Sequence, residues 1–271
     1  MKIAFIGDIV GRPARKIIKE NLKNFINKYN IDYVIANGEN ASHGFGLGVK
    51  NCDELRGYGI DMLTGGNHSF DKKSDMLTLL EQKKVLRPDN YPSEVPGSGL
   101  AIVTVNGEKL AIVNLMGVFT MPMVLNPFIH AKNLILKLKE EGIKNIFVDF
   151  HAEASSEKRI LFMMLKGKIS ALCGTHTHVG TDDLQISDNT CYLSDIGLTG
   201  CRDNVIGMDK KMPIYRAMTG LNGHFEVPNT CKSILQMLVV ELNEGKAIDA
   251  FKIKKYCDRQ EEILTKAFCE L

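Results

Sequence analysis

The sequence predicts an α/β fold, and three observations carry that prediction. Short apolar runs alternate with segments of helical periodicity through the first third of the chain. In the middle, two apolar runs flank an Asn106-Gly107 pair, and the last third is mostly strand-like. Alternating strand and helix implies a parallel sheet covered by helices. The hairpin and later strands add antiparallel pairing, so a mixed or second sheet is expected.

The elements follow in order. Residues 3–7 form a short apolar run, and Pro13 opens a segment with Ile17, Ile18, Leu22, Phe25 and Ile26 at helical spacing. A strand at 32–36 precedes a helix containing Leu55, then a strand at 61–64 and a helix near 76–80. The runs at 100–105 and 109–114 pair across Asn106-Gly107, a dipeptide suited to the positive φ at both centres of a type I′ turn. Helices at 127–141 and 156–165 alternate with strands at 145–150 and 169–173. Strands are expected at 184–186, 190–193, 224–227 and 233–241. A turn at 243–246 leads to a short strand ending at 250–253, and a charged helix closes the chain. The 91–99 stretch, with Pro92, Pro96, Gly97 and Gly99, is a loop, and residues 1–271 read as one domain.

Composition narrows the classes. A 271-residue chain buries roughly three quarters of its unfolded surface and needs no staples. Hydrophobic residues at 44% and charged residues at 24% fit a globular protein. Net charge is +2, and the basic residues come as scattered doublets such as Lys72–Lys73 and Lys210–Lys211. That gives no footprint for long nucleic acid, although a small anion needs only a local site. The 7 cysteines show no C-x-x-C pair, which argues for reduced, mostly buried thiols rather than a disulfide framework or zinc ribbon. With no signal peptide and no run of ~20 apolar residues, the expected location is the cytoplasm, away from membranes.

The chemistry is carried by position. Five expected strands end in a residue able to bind metal: Asp8, then Glu39 and Asn40, then Asn67 and His68, then His151, then His176 and His178. Ligands of open α/β sheets bind beyond the carboxyl ends of parallel strands, so these residues can converge. Taken singly, Asp8 reads as a helix cap, Asn40 as a turn former, and His151 or His176 as a hydrogen-bonded histidine. Together, imidazole, carboxylate and amide oxygen suit two ions of Mn, Fe or Zn. In His176-x-His178, one ring can serve each ion or both can serve one. Elsewhere, His43 and His130 suit surface or capping roles and His224 a strand. Ser155 and Ser156 suit a helix cap, and 44–48 a loop at the rim. The glycine spacing of Ile6-Gly-Asp-Ile-Val-Gly11 excludes a dinucleotide fingerprint.

These motifs resemble the calcineurin-type metallophosphoesterases, and within them the bacterial YmdB-like branch. The resemblance rests on Gly7-Asp8, Asn37-Gly-Glu-Asn-Ala41, Gly66-Asn67-His68, Asp149-Phe-His-Ala-Glu-Ala154, Gly174-Thr-His-Thr-His178 and Asp195-Ile-Gly197, along essentially the whole chain. It departs from the wider pattern in Asp8-Ile9-Val10, which lacks the usual histidine, and in Glu39, which replaces a bridging aspartate. It implies a four-layer fold of two mixed sheets flanked by helices. It also implies one ion held by Asp8, Glu39, Asn40 and His178, and another by Glu39, Asn67, His151 and His176. Fe or Mn fits this set best, with Zn and Mg as alternatives. The implied reaction is hydrolysis of small phosphodiesters such as 2′,3′-cyclic nucleotides by a hydroxide between the ions. His68, at the rim, would be the general acid, and Asp71 either orients it or caps a helix. The rival class is a metal-binding regulatory protein acting in RNA turnover, with RNA and a second copy of the chain as candidate partners.

Overall fold

A computed structural model describes residues 1–269. Glu270 and Leu271, which end both the expected closing helix and the 1–271 domain, lie outside the described residues. The first sheet begins with β1 (Lys2–Ile6), β2 (Tyr33–Asn37) and β3 (Met62–Thr64), alternating with α1 (Gly11–Tyr29), α2 (Val49–Gly57) and α3 (Lys73–Glu81). The hairpin of β4 (Leu100–Val105) and β5 (Glu108–Met116) opens the second sheet. It continues through α4 (Pro127–Glu140), β6 (Asn145–His151), α5 (Ser155–Leu165) and β7 (Ala171–Thr175). Next come β8 (Gln185–Ser187), β9 (Thr190–Leu193), β10 (Gly200–Cys201) and α6 (Lys211–Thr219). The described chain closes with β11 (Ser233–Asn243), β12 (Lys246–Tyr256), β13 (Ile263–Lys266) and β14 (Phe268–Cys269).

Both sheets are mixed. The first runs β13-β12-β11-β1-β2-β3, with β10 beside β11, and the second runs β14-β8-β9-β7-β6-β5-β4. Within them, β1, β2 and β3 are parallel, as are β5, β6 and β7, while β11 returns antiparallel to β1. The sheets face each other across an apolar layer in which Phe5 meets Phe147 with ring centroids 5.0 Å apart. Helices α1, α2 and α3 cover the outer face of the first sheet. Helices α4 and α5 cover the second, completing the expected four layers.

Local chemistry explains these elements. The helix-spaced residues of α1 that are buried include Ile17, Ile18, Leu22 and Phe25, and Asn30 ends it at φ 52°. Asn126 caps α4 by accepting from the amides of Phe128 and Ile129, with Pro127 in the first turn. Asn106 and Gly107 sit at φ 50° and 84°, as a type I′ hairpin requires.

Four expectations fail. The charged C-terminal stretch is not a helix. It forms β13, paired to β12, and Glu262 ties to Lys28 and Tyr29, so the charges mark a sheet edge. Residues 224–227 are irregular, because Val227 packs over Gly11 and Gly44 instead of joining a strand. Ser155 begins α5, with Ala154 in the cap position and no side-chain cap bond. Finally, Cys201 and Cys231 form a disulfide, since β10 and the approach to β11 bring their Cα atoms to 5.6 Å. Cys52, Cys173 and Cys191 are free and buried, as expected of small apolar residues. Among the described residues, no helix is long and apolar enough to cross a membrane.

Candidate active site

The carboxyl ends of the parallel strands of both sheets meet in one buried polar seam. Asp149 of β6 accepts hydrogen bonds from Thr64 of β3 at 2.5 Å and Asn37 of β2 at 3.2 Å. The amide of Gly65 donates to Asn114 of β5 at 3.0 Å. This seam fixes the strand ends and the loops that follow them; His151 is the last residue of β6, and the other expected site residues lie on those loops.

Glu39, His151 and His176 form the tightest group, with one donor atom from each lying within 4.8 Å of the others. His151 Nε2 is 3.2 Å from Glu39 Oε1, 2.8 Å from Asn67 Oδ1 and 3.1 Å from His176 Nδ1. Beside it, Asp8 Oδ1 lies 3.9 Å from His178 Nε2, and the Asn40 amide nitrogen lies 3.0 Å from Glu39 Oε1 and 3.3 Å from His178 Nε2. All seven expected residues therefore converge, with Glu39 between the two halves and Asn40 turning its amide nitrogen to Glu39 and His178. Gly66 permits this closure, because a Cβ there would overlap Glu39 and the His151 ring.

Ring orientation follows from neighbours that the sequence reading did not single out. Thr175 donates to Asp149 Oδ1 at 2.7 Å, so its lone pair accepts from His151 Nδ1 at 2.9 Å. That leaves Nε2 of His151 facing the cluster. His178 donates from Nδ1 to the Ile206 carbonyl at 2.7 Å, which also turns its Nε2 inward. His176 Nε2 meets Glu153 at 3.1 Å while Nδ1 faces His151. Glu153 lies inside the Asp149–Ala154 motif, so its proximity was readable. Thr175 precedes His176 directly, but only the fold shows its link to His151.

The turn carrying both terminal histidines is strained, with His176 at φ 97° and His178 at φ 64°. Asp195 holds it in place. Its Oδ2 accepts from the Thr177 hydroxyl at 2.8 Å and amide at 3.2 Å, and its Oδ1 from the Gly197 amide at 2.8 Å. Lys158 completes the set with a buried 2.7 Å ion pair.

The electrostatics favour positive charge. Burial opposes ionisation of Glu39, yet His151 and His68 hold its carboxyl down at about 2. Burial likewise opposes charge on His151, but Glu39 and Asp8 raise it to about 9. Burial and the neighbouring His151 push His176 down to about 3, leaving a neutral ring suited to ligation. Burial raises Asp8, against the pull of His178 and His151. Buried carboxylates beside inward-facing ring nitrogens and amides form a donor set for divalent cations.

His68 stands at the rim. Its amide donates to Glu39 Oε2 at 2.9 Å, and Nδ1 pairs with Asp71 at 2.8 Å. Lys72, not Asp71, occupies the cap position of α3, so Asp71 is the partner of His68. His43 is exposed, while His130 pairs with Asp89 at 2.7 Å; both are apart from the cluster. A cavity of about 360 Å³ opens over Glu39, Asn40, His176 and His178, with His68 and Glu153 on its walls.

Two facing mixed sheets with this polar convergence at their strand ends define a metallophosphoesterase-type fold. The chain belongs to the YmdB-like protein family, whose sequence profile matches residues 4–255. It is 40% identical over 245 residues to the 2′,3′-cyclic-nucleotide 2′-phosphodiesterase of Bacillus subtilis, covering 90% of this chain and 92% of that protein. A crystal structure described as a novel phosphatase from Mycoplasma pneumoniae superposes with a TM-score of 0.88 at 35% identity, covering 94% of this chain and 93% of the other. A hypothetical protein from Thermus thermophilus superposes with a TM-score of 0.87 at 33% identity, covering 98% of this chain and 100% of the other.

Proposed function

We propose that this protein is a dinuclear-metal phosphodiesterase acting on small phosphodiesters such as 2′,3′-cyclic nucleotides. The observation that carries the reading is the convergence of seven strand-end donors beneath a cavity bordered by His68. Similarity to the Bacillus subtilis phosphodiesterase supports the choice of substrate class.

Asp8, Glu39, Asn40 and His178 would hold one ion, and Glu39, Asn67, His151 and His176 the other. Fe or Mn suits this oxygen-rich set, with Zn and Mg as alternatives. Bound there, the ions supply Lewis acidity toward the phosphoryl oxygens and lower the pKa of the attacking water. The chain's own residues do the rest. Thr175 and Ile206 keep the inward nitrogens of His151 and His178 on the cluster, and Glu153 does the same for His176. Asp71 fixes Nδ1 of His68, leaving Nε2 to protonate the departing alkoxide.

Metal analysis of the purified protein, with a panel of mono-, di- and cyclic phosphate esters assayed before and after chelation, tests this. Bound transition metal and chelator-sensitive hydrolysis of cyclic diesters are expected. A metal-loaded protein inert toward every diester would overturn the proposal.

A further inference from the structure

The cavity over the donor cluster has a mixed lining, with polar groups from Glu39, Asn40 and the histidines and apolar side chains from Phe45, Ile206, Met208 and Phe225. Resting on the phosphodiesterase reading, we propose that these apolar side chains form a nucleobase subsite, seating the base of a nucleotide whose phosphate lies on the donor cluster.

Several features fit a flat aromatic occupant. Ile206 is 50% exposed although it borders a polar site, so its side chain offers uncovered apolar surface to whatever enters. Its backbone is at φ 42°, an outlier for a β-branched residue, and its carbonyl accepts from His178. The wall is thereby tied to a donor of the cluster, which fixes the spacing between base and phosphate. Phe45 packs edge-on to His68 with centroids 5.0 Å apart, placing one aromatic ring beside the proposed acid. Phe225 carries the Arg216 guanidinium 5.6 Å from its ring centroid, which leaves its remaining surface to the cavity and neighbouring loops. A volume of about 360 Å³ falls within the range of small-molecule sites.

The same wall limits what can be read. Phe45, Ile206, Met208 and Phe225 have no hydrogen-bonding N or O atoms in their side chains, so they can stack on or cover a base without reading its polar edge. Stacking of this kind tolerates any base. The subsite should therefore separate nucleotides from base-free sugar phosphates while discriminating weakly among bases.

Calorimetric titration of the metal-loaded protein with adenosine 2′-phosphate, cytidine 2′-phosphate and ribose 2-phosphate tests this directly. Both nucleotides are expected to bind at least about 10-fold more tightly than ribose 2-phosphate. Phe225→Ala and Phe225→Leu should remove most of that gap, and Phe225→Trp should restore it. Leu retains bulk and guards against a merely unfolded variant. Equal affinity of the wild-type protein for all three ligands, or a gap untouched in folded Phe225→Leu, overturns the subsite. Failure of the phosphodiesterase reading looks different: no ester is turned over, yet base-dependent binding persists.

Discussion

His68, the general acid of the proposed reaction, borders the cavity with one ring nitrogen held by Asp71 and its amide on Glu39. Because its ring is no part of the donor cluster, His68→Ala should keep its metal and lose turnover by roughly 10²–10⁴. Metal content measured beside kcat checks this, and loss of both ions would reassign the residue. Glu39 lies between the two halves of the cluster, so Glu39→Gln should weaken both ions together, visible as two lowered affinities in a metal titration. Retention of either site at full strength would contradict the bridging role. These residues were legible because each follows a short apolar run and several follow glycine, a local signal. Thr175 and Asp195 lie inside motifs the sequence displays, but their roles were not legible, because those lie in bonds to side chains distant in sequence.

At the scale of elements, the 176–178 turn depends on α5 and on the loop after β9. Lys158 on α5 and Asp195 in that loop are both buried, and the Asp195 carboxylate is the group on which Thr177 hangs. Lys158→Met would leave that carboxylate buried without its cation. Breaking such a pair costs about 3–5 kcal/mol, and the three remaining donors on Asp195 place the loss toward the lower end. Urea denaturation should show the destabilisation, and a midpoint equal to wild type would remove Lys158 from this role. The β4–β5 hairpin and the alternating elements of the first third were readable, since turn residues and periodicity are local. The charged C-terminus was misread because a solvated helix face and a charged edge strand share a composition; pairing with β12 decided between them. Helix α6 was not expected, because at 9 residues it is too short for its apolar spacing to stand out, and it buries none of them.

For the whole molecule, the decisive event is the closing of two sheets on each other, and little of it is local. Strand β1 lies between β2 and β11, joining residues near opposite ends of the chain, so no sequence window contains that pairing. One charge is caught in the closure. Lys252 of β12 is 2% exposed, and its ammonium has no hydrogen-bond partner among the described residues. A Cβ on Gly180 would run into that ammonium, which shows how closely the chain packs around it. Burial, reinforced by Lys254, pushes Lys252 down from 10.5 to about 8, despite Cys173, Asp195 and Asp183 pulling the other way. The folded state thus releases its proton before the unfolded state does. Below pH 8 both states are charged and the folded one bears the full penalty; between pH 8 and 10.5 the unfolded chain binds more protons and stability rises. The penalty at neutral pH is on the order of 3 kcal/mol. Lys252→Met, which keeps the apolar stem and drops the charge, should therefore be more stable than wild type at pH 7. Its advantage should shrink steadily as denaturation is repeated toward pH 10. An advantage that stays constant with pH would trace to packing alone, and a less stable variant at pH 7 would show that the ammonium is satisfied where it lies.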